Sequence, residues 1–275
     1  MSEIHSELGQ SSDYDLTYNP TRLFPIARAD KRREIGIDPL KLPFRGFDCW
    51  NHYEVSWLNE KGKPIVATAE IIYGCESPMI VESKSMKLYF NSFNNASFKS
   101  REAVEQTIKQ DLEHYIQADV FVKILPLNAS RNESIKTQFE GENLDEQDIS
   151  HFVYQVEPSF LETHNEFVRE TLCSDLLKSN CLVTNQPDWG SIQISYEGPK
   201  INREGLLRYI VSFRNHNEFH EQCIERIFID ILNRCKPQAL TVYGRYTRRG
   251  GLDINPYRTT QMITQDNNNH RLLRQ

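Results

Sequence analysis

Two stretches of this chain are copies of one another, and that duplication limits the folds open to it more than any other feature. With a shift of 120 residues, Tyr89 falls on Tyr209, Ser92 on Ser212, Phe93 on Phe213, Val104 on Ile224, Glu105 on Glu225, Ile108 on Phe228 and Leu112 on Leu232. Side-chain type and element order both survive the shift, so one structural unit is used twice. In the first copy YEVSWL and PIVATAEIIY, joined by the turn NEKGK, alternate as strands, and a further strand-like run follows Pro78 through SMKLYFNSF. Ser100 then caps a helix whose Val104, Ile108, Leu112, Tyr115 and Ile116 share one apolar face, and ADVFVKIL reads as a closing strand. The second copy offers the strand-like GSIQISYEG and GLLRYIVSF. A helix follows with Ile224, Ile227, Phe228, Ile231 and Leu232 on one face, and after Pro237 comes the strand QALTVYGRY.

A length of 275 residues suits two domains of ordinary size, and 39% hydrophobic with 25% charged residues is globular composition. The acidic stretch RNESIKTQFEGENLDEQDIS separates the copies as a solvated connector. The expected division is an N-terminal arm over 1–46, a first module over 47–128, the connector over 129–150 and a second module over 151–275. Residues 1 to about 20 are polar and loose, whereas LFPIARADKRREIG can dock as an extended arm. A net charge of −6 argues against a direct nucleic-acid partner, and no run of roughly 20 apolar residues is present to span a membrane. Six cysteines without a CxxC spacing, and no apolar signal-peptide core, point to a reduced, cytoplasmic protein.

The chemistry concentrates in a few short segments. Cys181 stands seven residues before Asp188 in NCLVTNQPDWG, where Asn185, Pro187, Asp188 and Gly190 can turn the chain back so that the carboxyl faces the thiol. A thiolate nucleophile beside a proton donor is the minimal set for covalent catalysis on a group that becomes an anion or an amine. For the other five cysteines the reading is that of small buried hydrophobes. In FRNHNEFHEQC, Asn217 is a candidate cap for a helix starting near Glu218, which leaves His220 and Glu221 in its first turn. An ionised Glu221 accepts two hydrogen bonds, the complement of an amide N–H beside an exocyclic amino group on a guanine-like or pterin-like ring. Glu82 is its acidic counterpart in the first copy, with Lys84 and Ser85 able to reach phosphate oxygens. Arg248, Arg249, Gly250 and Gly251 add guanidinium forks and close backbone approach. No GxGxxG and no GxxxxGK[ST] occurs. His216 and His220 have the spacing of a zinc pair, but His216 precedes the helix and no second thiolate lies close, so no metal is expected.

Together ESKSMKLYFNSFN, SNCLVTNQPDWGS, SFRNHNEFHE and RYTRRGGLDINP resemble the NADPH-dependent 7-cyano-7-deazaguanine reductases, the nitrile reductases of queuosine biosynthesis, from about Phe47 to Arg258. The resemblance is to the longer, two-module type. It implies an α+β fold of two tandem tunnelling-fold modules, each an antiparallel sheet backed by helices, assembled as a homodimer or a larger homo-oligomer. It further implies that Cys181 attacks the nitrile carbon to give a thioimide, that Asp188 donates the proton and that NADPH delivers hydride. The deazapurine would be held by Glu82, Ser83, Lys84, His220 and Glu221 with Phe219 over the ring, and NADPH by Lys84, Ser85, Arg249 and Gly250. Two other classes fit the same ring-binding residues. A tunnelling-fold cyclohydrolase would need paired thiolate ligands for zinc, and a catalytically silent purine-binding scaffold would not need Cys181 beside Asp188.

Overall fold

The computed structural model describes residues 14–127, 135–263 and 269–275. After a 3₁₀ turn at Pro20–Arg22, strand β1 (Pro25–Ala27) leads directly into helix α1 (Arg28–Glu34). Strands β2 (Arg45–Leu58) and β3 (Pro64–Gly74) form a hairpin closed at Asn59–Lys63, followed by β4 (Met79–Val81), α2 (Ser83–Asn91), α3 (Arg101–Ile116) and β5 (Val120–Pro126). The second half carries β6 (Glu142–Asn143), β7 (Thr163–Ser174), β8 (Lys178–Asn180) and β9 (Pro187–Ile201). It ends with α4 (Arg203–Ser212), α5 (His220–Cys235), β10 (Ala239–Tyr246) and β11 (Leu252–Thr259). Among the described residues no helix is long and apolar enough to cross a membrane.

The fold is α+β, and both copies contribute to one sheet in the order β5-β3-β2-β11-β10-β9-β7-β6, with β8 paired to β9. Every pairing in it is antiparallel except β6 with β7. The halves join where β11 lies against β2, with Ile254 opposite Trp50. Two cores sit between sheet and helices. One gathers Trp50, Ile71, Met86, Phe90 and Ile108, and the other Ile192, Leu207, Ile224 and Phe228. Each such side chain, taken fully out of water, contributes roughly 1.5–3 kcal/mol. Their neighbours Cys49, Tyr243 and Tyr257 face the other way, toward a cavity of about 290 Å³ that none of the candidate site residues lines.

Several expectations change. SMKLYFNSF and GLLRYIVSF are helices, not strands: Glu82 and Asn202 cap them, accepting from Ser85 N–H and Gly205 N–H at 2.8 Å each. The shift of 120 holds through these two helices, but it is one residue shorter through the next pair. Tyr89 donates to Asp111 and Tyr209 to Asp230, both at 2.6 Å, and the left-handed C-caps are Gln117 and Lys236. Val104 therefore corresponds to Cys223 rather than Ile224. The arm docks as a short strand, paired with β4, and a helix that buries Arg28 and Arg32. The connector segment is less solvated than its composition suggests: Leu144 is fully buried beside β6, while residues 128–134 lie outside the described residues.

Candidate active site

The β8–β9 hairpin sets Ser179 opposite Asp188 and Asn180 opposite Pro187, so the sequence between, Cys181–Gln186, is its connection. Cys181 N–H donates to the Gln186 carbonyl at 2.8 Å, and Asn185 N–H to the Cys181 carbonyl at 3.2 Å. Asn185 adopts φ +56°, a left-handed conformation that asparagine tolerates better than most residues. The hairpin is fastened to the loop before α5. Asn180 N–H donates to the His216 carbonyl at 2.8 Å, Glu218 N–H to the Asn180 carbonyl at 3.2 Å, and the Asn217 amide to the Asn185 side-chain oxygen. Asn217 is thus spent on the hairpin and does not cap α5, whose N-cap is Phe219 with no side-chain cap bond.

This fastening gathers Cys181, Asp188, Phe219, His220 and Glu221 around one cleft, joined by Glu82 and Ser83 from the first copy and Arg249 from the β10–β11 turn. The cleft is narrow, with a cavity volume of about 20 Å³. Burial alone would push the Cys181 thiol up. The nearby Thr184 hydroxyl, the Thr184 and Val183 N–H groups and Arg249 outweigh it, and the thiol lies below the ordinary range. Burial would likewise raise Asp188, yet His220, Arg249 and Lys178 hold its carboxyl below the ordinary range. His220 Nε2 lies 3.6 Å and Arg249 Nη1 3.1 Å from the same Asp188 oxygen, close enough for charge but not aligned as hydrogen bonds.

Glu221 is the opposite case. Burial, reinforced by Asp48, raises its carboxyl to about 7 against the pull of Arg28 and His220. Glu221 Oε1, His220 Nε2 and Arg249 Nη1 are buried without hydrogen-bond partners and all belong to residues lining the cleft, an arrangement that awaits a polar ligand. Glu82 is raised by burial too, but its oxygens accept from Lys84 N–H and Ser85 N–H at 2.8 Å each, so half its acceptor capacity caps α2.

Ser85 is not brought to the cleft. Its hydroxyl is buried, accepting from Phe24 N–H at 3.0 Å and donating to the Glu82 carbonyl at 2.7 Å, which removes it from the cofactor contacts expected of it. Lys84 is half-buried in the first turn of α2. His216 pairs with Glu218 at 3.0 Å, and Glu218 is also gripped by Arg226. Among the described residues no group of three or more His, Cys, Asp or Glu is placed to hold a metal. The residues that composition alone passed over are Val183 and Thr184. Only their place inside the CLVTNQPD turn signals that their N–H groups converge on the sulfur.

Residues 14–124 match the family described as "Nitrile reductase, 7-cyano-7-deazaguanine-reductase N-term", and residues 187–265 match "QueF-like protein". A protein of Legionella pneumophila (strain Lens) named NADPH-dependent 7-cyano-7-deazaguanine reductase is 64% identical over 270 residues, covering 98% of this chain and 95% of its own. Relatives of the same name from Polaromonas sp. strain JS666 and Acidovorax ebreus are 56% and 54% identical, each covering more than nine-tenths of both chains. The chain belongs to the 7-cyano-7-deazaguanine reductase family. Members of this reductase family are NADPH-dependent oxidoreductases. The β10–β11 turn carries Arg249 into the cleft. Gly250 and Gly251 adopt φ +65° and +80°, and a Cβ on Gly250 would lie 2.9 Å from Lys87 Cδ. A reductase with any other residue there would lose this close approach between backbone, Lys87 and the unpartnered Arg249 Nη1.

Proposed function

We propose that this chain reduces the nitrile of 7-cyano-7-deazaguanine to the aminomethyl group with NADPH, through a thioimide on Cys181, in queuosine biosynthesis. The observation that carries the reading is the cleft itself: a thiol held below its ordinary range shares it with Asp188 and His220, 3.6 Å apart, and with the unpartnered Oε1 of Glu221. Glu221 accepts from the ring N–H and its exocyclic amine. Glu82 supplies the acceptor from the other copy, Ser83, Lys84 and His220 border the ring, and Phe219 covers its face.

The Cys181 sulfur bonds to the nitrile carbon while one π pair of the triple bond moves to nitrogen and takes a proton, which leaves a neutral thioimide. Asp188 passes that proton to nitrogen, with His220 Nε2 3.6 Å from the same carboxyl group. NADPH, when bound by Lys84, Arg249 and Gly250, supplies the hydride for each of the two reductions. Cys181 orients the carbon for the first hydride and then departs as the thiolate, its C–S bond breaking as the nitrogen lone pair forms an imine that takes the second hydride and a proton. The protein works in the cytoplasm as a homodimer or larger homo-oligomer, a reading supported by β5 at the end of the sheet with Phe121 exposed.

Mass spectrometry after mixing the protein with 7-cyano-7-deazaguanine and no NADPH tests this directly. One added substrate mass on the Cys181 peptide is expected, and an unmodified Cys181 refutes the covalent route.

A further inference from the structure

The densest buried charge in the described residues adjoins the cleft without lining it. Arg28 and Arg32 of α1, Asp48 of β2, Glu225 of α5 and Arg258 of β11 are each at most 5% exposed. Arg32 grips Glu225 through Nε at 2.9 Å and Nη2 at 2.7 Å, and Arg258 donates to the same carboxylate from Nε at 3.1 Å and Nη2 at 2.9 Å. Arg28 donates to Asp48 and, through Nε, to Ser77 Oγ at 3.1 Å, while Arg258 Nη2 also pairs with Asp48 at 2.9 Å. Gln222 of α5 donates to the Lys31 carbonyl at 3.0 Å, which adds a neutral tie between the arm and the same helix.

Three cations face two anions in this cluster, and a lone buried surplus charge is costly. The next carboxylate is Glu221, one helical turn before Glu225 on α5, 4% exposed and with Oε1 unpartnered. Arg28 reaches that same helix, its Nη1 lying 3.9 Å from Glu225, so Arg28 and Asp48 sit one helical turn from Glu221. We infer that Arg28, carried by the N-terminal arm, is a positioning residue for Glu221: it supplies the counter-charge against which Glu221 offers its carboxylate to the substrate ring. The arm is thereby part of substrate recognition although none of its described residues lines the cleft. The other groups facing Glu221 are Tyr73 of β3 and its neighbour His220, and Glu82, Asp188 and Arg249 share the cleft.

This inference rests on the reading of Glu221 as the ring acceptor, and the experiment separates the two. Binding of 7-cyano-7-deazaguanine is titrated calorimetrically between about pH 5.5 and 9 in a Cys181→Ala background, which removes the covalent step. Arg28→Met is expected to move the pH midpoint of binding up by about one unit, roughly fivefold weaker at pH 7, with the loss recovered at high pH. Arg28→Met/Asp48→Asn removes both opposing charges and is expected to return the midpoint to that of the parent. Arg28→Lys, which keeps the charge, is expected to keep the midpoint and tests the point even if Arg28→Met fails to fold. An unmoved midpoint in Arg28→Met, loss of equal size at every pH, or a midpoint in Arg28→Lys raised by a unit overturns the inference. A parent that binds no nitrile at any pH overturns the functional reading instead.

Discussion

Glu221→Gln is expected to make the protein more stable and less able to bind, and the size of the first effect follows from the buried carboxyl. Its ordinary value is 4.5 and its value in the fold about 7, raised by burial and by Asp48. Below pH 4.5 the carboxyl is protonated in folded and unfolded chains alike and contributes no difference. Between 4.5 and about 7 the unfolded chain ionises while the folded one resists, so stability falls as pH rises, and above 7 the loss is complete. At roughly 1.4 kcal/mol per pH unit the full loss is about 3 kcal/mol. Glutamine, uncharged at every pH, removes it. At roughly 2–4 °C per kcal/mol, melting at pH 8 should rise by roughly 6–12 °C, while at pH 4 the two proteins should melt together. Ring binding should weaken at least about tenfold, because an amide replaces a charged acceptor with one that also presents N–H groups to ring donors. Scanning calorimetry at the two pH values decides the matter. A variant that gains nothing at pH 8, or gains equally at pH 4, would show that Glu221 is not a strained buried charge kept for its ligand.

Thr184→Val should move the midpoint of Cys181 alkylation, read on its own peptide against pH, upward, and an unmoved midpoint would remove the hydroxyl from thiolate stabilisation. Asp188→Asn should slow turnover by about 10²–10⁴ with substrate affinity changed only a few-fold, as expected of a group that acts in proton transfer; equal losses in both would make it a binding residue. Glu225→Gln leaves Arg32 and Arg258 buried without their carboxylate and should cost about 3–5 kcal/mol in denaturant unfolding, whereas a near-neutral change would mean that water enters the cluster.

How much of this was legible depended on how local each signal was. The helices α3 and α5 and the strands β3, β5 and β10 stand out because their apolar spacing repeats within one element. The helices α2 and α4 read as strands because nine or ten residues dense in Leu, Tyr and Phe satisfy both periods, and only the caps Glu82 and Asn202 decide between them. Strand β11 escaped notice because LDINPYRT carries buried Asp253, Asn255 and Arg258, polar residues satisfied by partners far away in the chain. Ser85 and Asn217 kept their polar types but not their expected tasks, since Phe24 and Asn185 claimed them.

The order of residues alone determined the duplicated unit, the thiol in its turn and the acidic first turn of the last helix, all properties of spacing within a few residues. Tertiary structure decided that β11 closes against β2, that Arg28 and Arg32 from an apparently polar arm become buried, and that His220 and Arg249 come to lie beside Asp188. The reason is electrostatic: in a low-dielectric interior the charge of a group depends on partners that approach only once distant strands and helices are paired.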